Sequence, residues 1–175
     1  MSTIAKKICL IGDFGVGKTT LIRRFVEGQF SDKYLSTVGV KISRKLIDFS
    51  DKTAENTQNL QLIIWDIEGS NKFKAIAPSY FQGAKGAVIV GDATVQETLN
   101  HLSEHIQNFL LVSPKSYIII ALNKSDLIET EYRETLRQLY QFSERVIATY
   151  LTSAKTGDNV DEMFTVLAQA LMQVN

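Results

Sequence analysis

Apolar and polar positions along the chain follow two different periods. Runs of aliphatic and β-branched residues at Ile4–Ile11, Val40–Phe49, Leu60–Asp66, Gly86–Asp92, Tyr117–Asn123 and Ala148–Ser153 predict six strands. Between most of them, apolar residues return every three to four positions in Lys18–Glu27, Asn71–Gln82, Gln96–Val112, Glu131–Phe142 and Asn159–Gln173, and this spacing predicts helices. The alternation predicts an α/β fold: a six-stranded, mostly parallel sheet with helices on both faces. Strands three to six are nearly continuous apolar runs, as expected of strands covered on both sides. In the second strand Val40, Ile42 and Leu46 alternate with Lys41, Ser43 and Lys45, which predicts an edge position. No helix separates strands two and three, so this edge strand is expected to pair antiparallel through the polar loop Ser50–Asn59, which reads as a solvated connection. The last helix opens with Asn159-x-x-Glu162, a pattern similar to a capping box.

Composition narrows the function classes. At 175 residues, 45% hydrophobic and 22% charged, with only Pro78 and Pro114 as prolines and no Gly/Ser-rich tract, residues 1–175 are expected to form one domain without a linker. Nineteen basic residues balance nineteen acidic ones, so no excess charge points to nucleic acid or an anionic membrane. The pairs Lys6-Lys7 and Arg23-Arg24 read as solvated or rim charges. Apolar runs such as Tyr117–Leu122 are far shorter than the ~20 residues that cross a bilayer, and Met1–Leu10 lacks a signal peptide's apolar core. A lone Cys9 excludes an intramolecular disulfide and reads as a small core residue in a reducing, cytoplasmic setting.

Chemistry is concentrated at strand ends. Gly12-Asp13-Phe14-Gly15-Val16-Gly17-Lys18-Thr19 follows a strand and opens a helix, which is the phosphate-loop pattern in the context that gives it meaning. The glycines let successive N–H groups turn around an anion at a helix N-terminus. Phosphate contacts are therefore expected from Asp13 through Thr20, with Lys18 as the point charge and the Thr19 hydroxyl as a Mg²⁺ ligand. Further along, Asn123-Lys124-Ser125-Asp126 ends an apolar strand and Ser153-Ala154-Lys155 ends the next. A carboxylate such as Asp126 accepts from the N1–H and N2–H₂ of guanine, a donor pair that adenine lacks, so the expected ligand is GTP or GDP.

With these motifs in order, and with Tyr34–Val40 and Trp65-Asp66-Ile67-Glu68-Gly69 between them, the chain resembles the Ras-like small GTPases, and most nearly the Rab group, over residues 5–173. The segments Phe73–Ala84 and Val90–Thr94 share that resemblance. It implies a GTP/GDP switch in which Thr37 of switch I binds Mg²⁺ and senses the γ-phosphate, Asp66 holds a metal-bound water, and the Gly69 N–H of switch II meets the γ-phosphate. It also implies that Phe30 packs across the guanine, that the Ala154 N–H contacts its O6, and that effectors and regulators bind through Tyr34–Lys45 and Glu68–Tyr80. Trp65, beside this motif, is expected to report switch II by its fluorescence.

Three departures fall on the catalytic machinery. Where the family carries the water-orienting glutamine, this chain has Ser70, too short for that role, so intrinsic hydrolysis is expected to be slow. Glu68 replaces the usual alanine and either points away, disturbs switch II or acts as an unorthodox base. Phe14 replaces a small residue beside the γ-phosphate, where bulk in relatives interferes with an arginine finger. Switch I also drifts at Lys41-Ile42, where Rabs tend to carry an acidic and an aromatic residue. The alternatives are a pseudo-GTPase that holds nucleotide constitutively and presents a fixed partner surface, and an ATP-using P-loop enzyme, which Asn123–Asp126 disfavours. Phe73, Tyr80 and Phe81 read equally as core or as a partner-facing patch. His101-Leu102-Ser103-Glu104-His105 matches an inverted zinc-protease pattern, yet no further ligand motif follows and its helix is expected to lie away from the nucleotide. The end Gln169–Asn175 offers no cysteine for prenylation and Met1-Ser2 no glycine for myristoylation, so the expectation is a cytoplasmic chain, or a piece of a longer one, without its own membrane anchor.

Overall fold

The computed structural model describes residues 2–33, 36–49, 58–140 and 144–173. Six strands form one sheet: β1 (Ser2–Gly12), β2 (Val40–Asp48), β3 (Gln58–Ile67), β4 (Gly86–Asp92), β5 (Tyr117–Asn123) and β6 (Val146–Leu151). Their order across the sheet is β2-β3-β1-β4-β5-β6, with β2 antiparallel to β3 and every other pair parallel. Among the described residues the helices are α1 (Lys18–Glu27), α2 (Ala77–Phe81), α3 (Gln96–Asn100), α4 (Leu102–Val112), α5 (Thr130–Leu139) and α6 (Val160–Met172), with a 3₁₀ turn at Ser125–Leu127. The expected α/β architecture is what forms.

The alternation of side chains along the central strands divides the interior in two. Val88 and Val90 of β4 point to one face, where Leu21 and Phe25 of α1 meet Phe164 and Leu167 of α6; the Phe25 and Phe164 rings stack at 4.2 Å. Ala87 and Ile89 point to the other, against Leu99 of α3, Ile106 and Phe109 of α4 and Leu136 of α5. Every residue of β4 is buried, as its apolar run predicts, and so is all of β5 after Tyr117. The prediction of two covered faces fails for β3, which alternates, and for β6, which is only half-buried except at Leu151. β6 closes the far edge of the sheet, where one neighbour is missing, and it starts two residues earlier than its hydrophobicity suggests.

Other boundaries moved for local reasons. In the stretch expected to be helical from Asn71, residues 71–76 form tighter turns closed by the Phe73 N–H to Ser70 O and the Lys74 N–H to Asn71 O, and the α-helix begins only beside Pro78. The long helix Gln96–Val112 is interrupted at His101, which separates α3 from α4. Asn159 does not build a capping box: it adopts φ 58° and its Nδ2 donates to Leu151 O, tying the start of α6 to the end of β6. The loop prediction at residues 50–57, the helix end at residues 141–142, Tyr34 and Leu35 lie outside the described residues. Cys9 is fully buried, and burial pushes its thiol up to about 12. Phe73 and Phe81 are buried and Tyr80 packs beside them, stacked on Phe73 at 5.4 Å, so these aromatics are core.

Candidate nucleotide-binding site

β1 runs between β3 and β4, so the chain leaves it at the point where strand order reverses, the place where open α/β sheets form a crevice. The loop from Gly12 into α1 turns with Gly15 at φ 77° and Gly17 at φ 102°. Gly17 is required twice over, because a Cβ there would also lie 2.3 Å from Asn123 Nδ2. The first N–H groups of α1 face this crevice end, and a helix start favours negative charge. The Lys18 ammonium folds back to donate to the carbonyls of Gly12 (2.9 Å) and Asp13 (2.8 Å). Burial lowers its pKa to about 8, against the opposing charges of Asp66 and Asp13. A cation so poorly solvated gains strongly from phosphate oxygens.

Three oxygens gather next to it. Thr19 Oγ1 lies 2.5 Å and Thr37 Oγ1 3.0 Å from Asp66 Oδ2, and the two hydroxyl oxygens are 2.6 Å apart. Only two hydroxyl protons serve these three contacts, and Asp66 Oδ1 is buried without a partner among the described residues. Hard oxygen donors left partly unsatisfied in this way fit Mg²⁺. Thr37 comes from the segment before β2 and Asp66 from the end of β3, so the cluster joins that segment and β3 to the start of α1.

The opposite end of the crevice is built by β5 and β6. Asn123 is buried and does not face the cleft; its Nδ2 donates to Val16 O (3.0 Å) and its Oδ1 accepts from the Thr152 hydroxyl (3.2 Å), which locks the phosphate loop to both strands. Lys124, at φ 62°, donates to Gly15 O (2.9 Å) and pairs with Asp92 (2.6 Å). The Ser153 hydroxyl, also buried, donates to Asp126 Oδ1 (2.8 Å) and so orients that carboxylate. Arg24 of α1 reaches over to the carbonyls of Lys155 (3.5 Å) and Thr156 (3.3 Å). Between the two ends lies a cavity of about 310 Å³, within the range of small-molecule sites, lined at one end by Lys18 and Thr37 and at the other by Phe30, Asp126, Leu127 and Ala154.

The sequence pattern that describes the Ras family matches residues 7–173. The chain belongs to the Ras family. It is 33% identical over 168 residues to the Ras-related protein Rab-22A of Mus musculus, covering 94% of this chain and 82% of that protein. It is 34% identical to Rab-4A of Bos taurus (95% and 74% covered) and 33% identical to Rab-4 of Dictyostelium discoideum (95% and 78% covered). As a Rab-like member of the Ras family it binds GTP and GDP with Mg²⁺, hydrolyses GTP to GDP and phosphate, and acts as a molecular switch with effectors and regulators.

In this Ras-family chain the predicted site residues divide into two groups. Phe14, Gly15, Gly17, Lys18, Thr19, Thr20, Phe30, Thr37, Gly69, Lys124, Asp126, Ala154 and Lys155 line one cleft. Val16, Asn123 and Ser153 are buried behind it, Asp66 beneath it, and Asp13 turns its side chain to the rear. Gly69 sits so closely on the phosphate loop that a Cβ would come within 2.6 Å of the Asp13 carbonyl carbon and 2.7 Å of Lys18 Nζ.

Switch II of this GTPase is held by its own unusual residues. Glu68 Oε2 accepts from the Gly39 N–H (2.6 Å), Oε1 accepts from the Ser70 hydroxyl (2.5 Å), and the Glu68 N–H donates to Gly39 O (2.9 Å). The Gly39 amide first, and Ser70 second, hold this carboxyl below its ordinary pKa. Of the three readings of Glu68, a base is the least compatible with oxygens already engaged. Sequence reasoning missed Arg24 and Asp92 as supports, although both lie next to motif residues in space. The expectation that the helix carrying His101 and His105 lies away from the nucleotide fails: His101 Nδ1 lies 2.5 Å from Asp13 Oδ2 and His105 Nε2 2.8 Å from Asp13 Oδ1. A helix that follows β4 starts at the same sheet end as the loop after its neighbour β1, and that adjacency brings the pair to the phosphate loop. Among the described residues no group of three or more His, Cys, Asp or Glu is arranged to hold a metal ion.

Proposed function

We propose that residues 1–175 act as a single Ras-like G domain that retains GTP well and hydrolyses it slowly. The observation that carries the assignment is one cleft with the buried Lys18 cation at one end and the Ser153-oriented Asp126 carboxylate at the other, the two charges that a guanine nucleotide needs at opposite ends. Residues 13–20 hold the phosphates, with Lys18 neutralising charge as it shifts toward the leaving oxygens. Thr19 and Thr37, with Asp66 through a water, would hold Mg²⁺, which would neutralise phosphate charge. The Gly69 N–H meets the γ-phosphate, Asp126 reads the base, Ala154 approaches O6 through its N–H, and Phe30 packs across the ring. Asn123, Lys124, Ser153 and Lys155 support that end.

Slow hydrolysis follows from Ser70, whose short hydroxyl is engaged by Glu68 and leaves in-line water unpositioned. Single-turnover conversion of preloaded GTP, followed by chromatography of bound nucleotide, is expected to run below about 10⁻⁴ s⁻¹, and Ser70→Gln to raise it about tenfold. A variant rate equal to the wild type's would remove the missing amide as the cause. At the base, Asp126→Asn exchanges an acceptor for a donor, so GTP affinity is expected to fall by about two orders of magnitude while xanthosine triphosphate, with a carbonyl at C2, gains. Competition binding reads both.

Effectors and regulators are assigned to Tyr34–Lys45 and Glu68–Tyr80, supported by the exposed Val38 and Ile76. Phe14, 56% exposed on the cleft rim, blocks an arginine finger in this reading, and Phe14→Ser is expected to restore stimulation by an activating protein that supplies one. No helix among the described residues is long and apolar enough to cross a membrane. We assign the chain to the cytoplasm, where any membrane association would run through a partner or a missing segment.

A further inference from the structure

GTP binding and hydrolysis as assigned above make no use of His101 and His105, yet both imidazoles converge on the phosphate loop. The break between α3 and α4 falls at His101, and one turn further His105 points the same way. Each ring nitrogen takes one oxygen of the same carboxylate, at 2.5 and 2.8 Å, and that carboxylate is only 17% exposed. Asp13 is no peripheral residue: its carbonyl accepts from Lys18, and Gly69 of switch II lies against its backbone. A carboxylate this close to a loop that must accept a polyphosphate repels the ligand unless it is tied back and compensated.

We propose that His101 and His105 are positioning residues, a two-point clamp on Asp13 that holds the back of the phosphate loop and makes nucleotide release depend on proton concentration. Both neutral rings can donate, His101 as the Nδ1–H tautomer and His105 as the Nε2–H tautomer, so the clamp exists at high pH. Protonation of His105 adds charge to its contact, strengthens it and offsets the negative charge of Asp13 behind the phosphates. The other charged groups facing the pair are Lys18 from α1, Lys74 from the segment before α2, Glu68 from the loop after β3 and Glu104 from α4 itself. Burial, helped by Lys18 and Lys74, pulls His105 below the ordinary histidine value against the opposing pull of Asp13, so its step falls on the acidic side of neutrality. Burial pulls the Asp13 pKa up, but the hydrogen bonds and charges of both histidines together pull it below its ordinary value, so its carboxylate remains the constant partner.

The test is the release rate of a fluorescent GDP analogue from the Mg²⁺-loaded chain between pH 5.5 and 8.5. Wild-type release is expected to slow about twofold or more on acidification from pH 8 to 5.5. The double variant His101→Asn, His105→Gln places amide nitrogens where Nδ1 and Nε2 stand, keeping the donors without the titration, and its profile is expected to lose that slope. The nucleotide's own phosphates titrate in both proteins, so the difference belongs to the histidines. His101→Ala with His105→Ala is expected to release about fivefold faster across the range, the loss of one net hydrogen bond's worth of retention. Matching slopes in wild type and amide variant overturn the proton linkage, and an alanine variant that releases at the wild-type rate overturns the clamp. Should the alanine protein fail to load nucleotide, the amide variant alone decides.

Discussion

The Glu68 carboxylate uses one oxygen to link the segment before β2 to the loop after β3 and the other to hold Ser70 within that loop. Each switch in this protein therefore has a contact to the other that does not pass through the γ-phosphate. In the GDP-loaded chain, Glu68→Ala is expected to speed hydrogen exchange at the Gly39 amide, while Glu68→Gln, which keeps an acceptor, is expected to retain much of the protection. Exchange that is the same in all three proteins would leave Glu68 without a part in joining the switches. Cys9 supplies a second prediction at this scale. A fully buried thiol pushed up to about 12 forms almost no thiolate at neutral pH, so alkylating reagents are expected to label Cys9 only as the protein unfolds. Labelling kinetics against denaturant would then report opening of the sheet centre.

Elements place these residues, and here the sequence was legible unevenly. β4 and β5 announced themselves because a strand covered on both sides must be apolar throughout, and α1 because Leu21, Ile22 and Phe25 share one face. The turns at residues 71–76 carry a helical spacing that Pro78 and i→i−3 bonds override, so apolar period alone misplaced α2. The cleft-lining residues were readable because phosphate and guanine chemistry demand particular side chains at strand ends. Arg24 and the histidines were not, because their contacts depend on which elements become neighbours. Arg24 bridges α1 to the loop after β6 through two long hydrogen bonds, and Arg24→Ala is expected to speed GDP release two- to fivefold, about 0.5–1 kcal/mol. Trp65 connects β3 to the switch II helix: it lies under the Lys7 ammonium (3.7 Å) and 6.1 Å from the Tyr80 ring of α2. Its emission is expected to change when GDP is replaced by a non-hydrolysable GTP analogue, and Tyr80→Leu to shrink that change.

Across the whole molecule, the cleft draws on α1, the segment between α1 and β2, and the loops after β1, β3, β5 and β6, so a bound nucleotide ties together loops from most of the width of the sheet. Ligand at a hundredfold excess over its Kd adds about 2.7 kcal/mol to stability. Chelating Mg²⁺ is accordingly expected to lower the melting temperature of the GDP-loaded chain, and restoring excess Mg²⁺ to recover it; a melting temperature indifferent to chelator would mean that the Thr19, Thr37 and Asp66 oxygens do not share a metal. The outer margin of the sheet carries a different consequence. Among the described residues β2 has a neighbour on one side only, and it shows Ile42 and Leu46, both more than 40% exposed, among Lys41, Arg44 and Lys45. Open backbone amides with apolar side chains invite another chain to add a strand, and like-charged cations on the same ribbon discourage two copies of this protein from doing so. Colloidal behaviour thus rests on three cations: neutralising Lys41 and Lys45 together should turn a well-behaved solution into one whose light scattering climbs with concentration.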